Sequence, residues 1–168
     1  MVGTGRAAEL GVLFRKGDAL QSLNEVDIIA FDKTGTLTEG RPSLVALHPT
    51  AGFDRAEVLG AVAAVEARSE HPIARALVTA AQDEGLTLAE VSDFQSHTAR
   101  GVTAKVAGRV IHIGSARLMS EAGISVDALA AEALERANRG ESVLYTAIDG
   151  QLAALLAVAD PIKPTSAA

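Results

Sequence analysis

The sequence predicts an α/β protein in which an α+β domain, an antiparallel sheet flanked by helices, interrupts part of a doubly wound one. Three observations carry that expectation. A short apolar run over 26–31 ends abruptly in Asp32 and then in a Gly- and hydroxyl-rich loop, the pattern of a strand buried on both faces of a parallel sheet. Between 54 and 85 the apolar residues recur at helical spacing. From 90 to 158 much of the chain changes to a period of two, punctuated by Gly108-Arg109 and Asp149-Gly150, which signals antiparallel hairpins. The expected division is 1–40, then an inserted domain over 41–158, then a return over 159–168.

Residues 4–10 read as the end of a helix, 11–14 as a short apolar strand, and 18–23 as a brief helix before the 26–31 strand. That β–α–β order suits one half of a doubly wound sheet. After Gly40, Arg41-Pro42 is a breaker pair, and 43–48 alternates as a strand. Asp54 is positioned to cap a helix over 54–68, with Glu57 placed to complete a capping box and Val58, Ala61, Val62 and Val65 on one face. A second helix starts at Pro72, a favoured first-turn position, turns Ile73, Leu77 and Ala80 or Ala81 inward, and ends at Gly85. A hairpin follows, with Val102, Ala104 and Val106 on one arm. On the other arm the inward set is Val110 and His112 or their neighbours Ile111 and Ile113. Helices are expected over 115–122 and 126–138, the second closed by Gly140, and a final hairpin over 142–158 turns at Asp149-Gly150.

Composition narrows the function classes. The chain has 168 residues, a formal net charge of −6, no Cys, no Trp and four His. Without Cys there is no disulfide, thiolate metal site or thiol catalysis. The negative charge and the scarcity of aromatics argue against a nucleic-acid partner, and four scattered His suggest no structural zinc. The longest apolar run, 152–159, falls well short of the ~20 residues of a membrane-spanning helix, and no signal peptide opens the sequence. The expectation is a soluble, cytoplasmic polypeptide.

Two clusters carry chemistry. In open α/β sheets the reactive groups sit just beyond the carboxyl ends of the strands. Asp32 occupies that place, as a carboxylate able to take a phosphoryl group. Gly35 lets the following turn close, and Thr34, Thr36 and the loop N–H groups can face phosphate oxygens. The second cluster is the corner Glu66-Ala67-Arg68-Ser69-Glu70-His71-Pro72. Pro72 restricts His71 at the cap of the next helix, where an imidazole can stack on a purine and a carboxylate can accept from its exocyclic amine. A charged helix–helix corner with no further role is the plain alternative for that second cluster.

The heptapeptide from Asp32 to Thr38, Asp-Lys-Thr-Gly-Thr-Leu-Thr, resembles the phosphorylation signature of the P-type ATPases. Ser69-Glu70-His71-Pro72 downstream resembles the hallmark of their heavy-metal-transporting (type IB) branch. The resemblance runs along essentially the whole chain and implies an inserted nucleotide-binding domain within part of a haloacid-dehalogenase-like phosphorylation domain. It implies ATP or ADP as ligand, held by Glu66, Glu70, His71, Gly101, Gly114 and Ser115. It also implies Asp32 as phosphoryl acceptor with Lys33 and Thr34 beside it, and Mg2+ at Asp32 and Thr34.

The family pattern has Gly where this sequence has Ala99, and Asn where it has Ser115. Both departures bear on nucleotide affinity and pocket detail. Thr34 stands where haloacid-dehalogenase phosphatases usually have a second Asp for proton transfer, which favours a pump with a persistent phosphoenzyme over a phosphatase. A non-catalytic nucleotide-binding module is the other alternative. Further phosphorylation-domain loops and all transmembrane segments of the family are not found in these residues. The resemblance therefore implies the cytoplasmic part of a membrane protein of the bacterial inner membrane, closest to copper exporters, that binds nucleotide without efficient self-phosphorylation. Its partners would be the remaining phosphorylation, actuator and transmembrane domains. An unpaired apolar strand in 1–40 is also expected to pair between chains or to lack order.

Overall fold

Helix initiation follows the capping chemistry of the sequence. In the computed structural model, which describes residues 2–13, 16, 18–23 and 25–166, the Asp54 carboxylate accepts from the N–H groups of Ala56 and Glu57 and opens the helix Arg55–Glu66. Glu57 does not complete the capping box. Its carboxylate pairs instead with Arg109, which also donates from Nε to Asp149 at 2.9 Å, because a strand brought alongside supplies a full cation in place of an N–H. The His71 ring caps the helix Pro72–Asp83 by accepting from Ile73 N–H at 3.2 Å.

In chain order the elements are α1 (Val2–Glu9), α2 (Asp18–Leu23), β1 (Ser43–Pro49), α3 (Arg55–Glu66), α4 (Pro72–Asp83), β2 (Val91–His97), β3 (Gly101–Val106), β4 (Arg109–Gly114), α5 (Ala116–Glu121), α6 (Ala130–Asn138), β5 (Ser142–Ile148) and β6 (Gln151–Ala159). Residues 126–138, expected as one helix, form a 3-10 turn over Asp127–Leu129 that runs into α6.

Contacts divide the chain between Asp32 and Lys33, earlier than the boundary expected at 40. In the first unit α1 and α2 form, but the expected strands do not. Val12, Leu13 and residues 26–31 make no strand pairing among the described residues, and Phe14 lies outside them. Ile28 is 83 % and Phe31 67 % exposed. A parallel strand is held by a neighbour on each side, and apolar composition alone does not create a ladder.

The second unit is built on one antiparallel sheet of six strands in the order β1-β6-β5-β4-β3-β2. β2 was not singled out by the sequence, because a bulge at Ser92–Gln95, with Asp93 at φ 52°, breaks its alternation. The β3–β4 turn is Ala107-Gly108, one residue earlier than expected, with Val106 paired to Arg109. This register turns Ile111 and Ile113 into the core and leaves Val110 and His112 on the opposite face. The β5–β6 turn is Asp149-Gly150, as expected, both residues at positive φ as a two-residue hairpin requires.

One face of the sheet packs on α3 and α4 through Val58, Leu59, Val62, Leu77, Ile113 and Leu156. The other face is covered over β5 and β6 by α5 and α6, through Leu118, Met119, Ile124, Tyr145 and Leu155. Burial on both sides is why β6 reads as an unbroken apolar run.

The chain enters and leaves this unit side by side. The Asp160 carboxylate accepts from the Thr38 hydroxyl at 2.6 Å and from the N–H groups of Gly40 at 3.1 Å and Arg41 at 2.9 Å. Thr38 is fully buried and bridges Ile162, and Lys163 donates to Gly35 O at 2.7 Å. These bonds draw residues 33–40 into the sheet's unit.

Leu77 is completely buried between α3 and the sheet. Leu77→Ala is expected to lower the urea-unfolding free energy by about 2–5 kcal/mol, whereas Leu134→Ala at an exposed site should change it by less than about 0.5 kcal/mol.

Candidate functional site

The end of α3, the cap of α4 and the β2–β3 turn converge on a cleft of about 430 Å³, within the range of small-molecule sites. Glu66, the last residue of α3, sits in its wall at 8 % exposure. Its carboxyl has no hydrogen-bond or ion-pair partner among the described residues. Burial raises its pKa from 4.5 to about 7, and the negative end of the helix acts in the same direction. His71 lines the cleft from the start of α4. Because its Nδ1 accepts from Ile73 N–H, the ring proton is on Nε2, so His71 offers a donor at a fixed position.

Gly101 and Gly114 face each other across β3 and β4. A Cβ on Gly101 would lie 2.1 Å from Ile113 O, and one on Gly114 2.1 Å from Arg100 O. Each glycine is required by the other's backbone, a reason independent of any ligand. Gly101 lines the cleft; Gly114 is buried beneath it. Ser115 caps α5 through its hydroxyl, which accepts from Leu118 N–H at 3.4 Å, and its own N–H bonds Arg100 O at 2.8 Å. Ala99 is at φ 57°, the left-handed region where a glycine is strain-free and an alanine is not. The departure from Gly there is therefore a strained one.

The structure thus brings together Glu66, His71, Gly101 and Ser115. Glu70 is exposed and does not line the cleft. Sequence reasoning missed His97, Arg100 and the apolar walls Val143 and Leu144. Arg100 lies between Ala99 and Gly101, both named from the sequence, so its place was readable. Val143 and Leu144 arrive from β5 and carried no local signal.

A larger trough, about 600 Å³, lies on the outer face of β2–β4. Its carboxylates are already neutralised, Asp93 by Lys105 at 2.9 Å and Glu121 by Arg100 and Arg117 at 2.8 and 3.0 Å. The smaller cleft holds a buried acid with no partner among the described residues, and the larger trough holds His112, whose buried Nδ1 also has none.

Asp32 is exposed and belongs to the first unit. In the second unit Lys33 reaches Gly140 O at 3.3 Å, at the carboxyl end of α6, and Gly35 takes φ 77° in the turn after Thr34. Among the described residues no three His, Cys, Asp or Glu side chains gather as a metal site. No described helix is long and apolar enough to cross a membrane.

Residues 26–168 match the family model of haloacid dehalogenase-like hydrolases, and the chain belongs to that family. Within it the similarity is to P-type ATPases of heavy metals. The chain is 55 % identical over 166 residues to a copper-transporting ATPase of Rhizobium meliloti, and 39 % identical over 166 residues to a copper-exporting P-type ATPase of Bacillus subtilis. Each match covers 99 % of this chain, which spans about a fifth of the relatives' length, 20 % and 21 % respectively. A zinc-transporting PIB-type ATPase superposes over 98 % of the chain and 26 % of its own, with a TM-score of 0.75 at 33 % identity. The N-domain of a copper-transporting P-type ATPase aligns over 71 % of this chain and 99 % of its own, at a TM-score of 0.61 and 26 % identity.

Two stability measurements test this geometry. Ala99→Gly relieves the left-handed alanine and should stabilise the protein by about 0.5–1 kcal/mol after the extra unfolded-chain entropy of glycine, seen as a higher Tm. Glu66 has its folded pKa raised, so between pH 4.5 and about 7 the unfolded chain ionises while the fold retains the proton, and stability falls with pH across that window. Glu66→Gln should therefore gain stability relative to the parent as pH rises, by up to about 3 kcal/mol at pH 8, and show little gain near pH 4. Equal effects at both pH values would contradict the buried, unpartnered acid.

Proposed function

We propose that this chain is the ATP-binding cytosolic part of a metal-exporting P-type ATPase with copper(I) as cargo. The whole protein would couple ATP hydrolysis, through an aspartyl phosphate at Asp32, to export. The observation that carries the reading is the cleft in which Glu66 and His71 meet beside the Gly101 turn, in a chain that also holds the Asp32–Thr38 heptapeptide. The similarity to copper transporters over 99 % of the chain supports the cargo.

Nucleotide enters between the apolar walls Ile73, Val102 and Leu144, where a planar base replaces water. His71 donates from Nε2, and Glu66 meets the base. Ser115 and the Gly101 backbone flank the opening. Glu70 is the weakest member of the set, being exposed, and would act on nucleotide at the rim.

Asp32 attacks the γ-phosphorus in line, taking the phosphoryl group on a carboxylate oxygen as ADP leaves. Lys33 and Thr34 steady that phosphate from the loop. Asp32 would supply the carboxylate for Mg2+, a metal that suits one or two carboxylates together with phosphate oxygens. Asp32 with the oxygen donors at Thr34 suits a metal that arrives on the nucleotide, where it neutralises charge. With Thr34 in place of a second Asp, no side chain at that position relays a proton to hydrolyse the phosphoenzyme.

The rest of the protein, in the relatives' remaining length, would supply the other domains, the membrane path and neighbours for the exposed 26–31 run. An exposed apolar run left unpaired is open to pairing between chains.

Titration with a fluorescent ATP analogue tests the site. Wild type should bind saturably, His71→Ala should weaken binding about tenfold or more, and Asp32→Asn should leave affinity unchanged. The isolated chain should form little acyl phosphate from radiolabelled ATP. Unaltered binding in His71→Ala would overturn the site assignment.

A further inference from the structure

The trough on the outer face of β2–β4 and the cleft are separate cavities with shared walls. His97 lines both. Arg100 lines the cleft, and Glu121, the carboxylate it pairs with at 2.8 Å, lines the trough.

Three donors gather on the trough floor. Thr103 and His112 are direct cross-strand partners on β3 and β4, which sets their side chains next to one another. His97 on β2 stands opposite Gly101. With no side chain opposite it on β3, the imidazole leans across, and its Nε2 lies 3.0 Å from Thr103 Oγ1. All three residues are half-buried in a trough of about 600 Å³. His112 Nδ1 is shut away without a partner, which leaves Nε2 as the nitrogen the ring can present.

We propose that the trough is an effector site for a divalent transition-metal ion, ligated by His97, Thr103 and His112, whose occupation tightens nucleotide binding in the cleft. On one ion with bonds of about 2.1 Å, neighbouring donors stand roughly 3 Å apart. His97 and Thr103 already hold that spacing. Imidazole nitrogen selects ions of the zinc, copper and nickel kind over Mg2+, and water fills the remaining positions. A ligating histidine usually donates its second ring N–H to an acceptor, a support worth about 10–100-fold in affinity. His112 Nδ1 has no such acceptor among the described residues. The site therefore suits an ion that comes and goes with its concentration, not a permanent structural one.

Coupling follows from the shared walls. A cation in the trough attracts the Glu121 carboxylate and competes for it with Arg100, while Arg117 holds its other oxygen at 3.0 Å. Arg100, freed from Glu121, can turn its charge into the cleft it lines, where a nucleotide brings phosphate oxygens that a guanidinium binds well. The metal site stands on the trough's own geometry; the coupling rests on the nucleotide reading above.

Zn2+ is the redox-silent probe and Mg2+ the control, in calorimetry on the 168-residue chain at about pH 7.5, above the ordinary histidine range. Circular dichroism checks the folding of each variant. His97→Ala and His112→Ala should each weaken Zn2+ binding about tenfold or more, and Thr103→Val should weaken it less. His48→Ala, outside the trough, should leave it unchanged. Zn2+ should tighten ATP binding by wild type about fivefold or more. His112→Ala and Arg100→Ala should show no such gain. The His112→Ala titration also carries any metal taken up directly by the triphosphate.

Zn2+ affinity unchanged in both His97→Ala and His112→Ala would overturn the metal site. Zn2+ binding that depends on these residues but gives wild type no more ATP affinity than His112→Ala gains would overturn the coupling. Failure of folded wild type to bind ATP without Zn2+ would remove the nucleotide reading, and the Zn2+ titrations would still decide the metal site.

Discussion

The contact between Gly101 and Gly114 sets the geometry on which the cleft depends. Two backbones approach so closely there that a side-chain carbon on either would sit 2.1 Å from a carbonyl oxygen. That approach joins the start of β3 to the end of β4, and Ser115 N–H seals it by bonding Arg100 O. It fixes where the Ala99–Arg100 turn stands relative to α5. A methyl group at either glycine would push the pair apart and move the cleft wall with it. The glycines of this site thus build the fold first, and any ligand inherits the shape they leave.

Against that rigid turn the corner between α3 and α4 supplies the polar groups. His71 is held twice, by Pro72 in its backbone and by Ile73 N–H at its ring, so little conformational freedom remains to be lost on binding. Glu66 is held by burial alone. One residue lends a fixed donor and the other an acid whose charge state follows its surroundings, a pairing of unlike roles on two adjoining helix ends. The cost of hiding the acid falls on stability above pH 4.5, and a ligand that satisfies the carboxyl recovers part of it.

Asp160 performs a different service. One carboxylate gathers Thr38, Gly40 and Arg41, tying the exit of the Asp32 loop to the chain returning from β6. Three bonds on one ionised acceptor are stronger than three neutral ones. They make residues 33–40 part of the sheet's unit despite their place in the sequence beside Asp32. The two segments run antiparallel where Thr38 bridges Ile162, so the chain enters and leaves the sheet's unit at one place.

Much of this protein is determined by its sequence alone. The α3 and α4 helices, the Asp54 and His71 caps and the Asp149-Gly150 hairpin follow from residues within a few positions of one another. The identity of the Asp32 heptapeptide is equally local. The tertiary structure decided the rest. Val26 to Phe31 has every mark of a strand, yet a strand exists only where another backbone pairs with it. Glu57 had a capping role in reach and went to Arg109, fifty-two residues away. Val143 and Leu144 became cleft walls because β5 runs beside β4. Glu66 could be picked out from the sequence as a ligand candidate on a polar corner, but only the packing of α3 against α4 and the sheet desolvated its carboxyl and raised its pKa to about 7. Short-range signals specify conformation; desolvation and pairing depend on segments far apart in the chain, and those set the chemistry of the site.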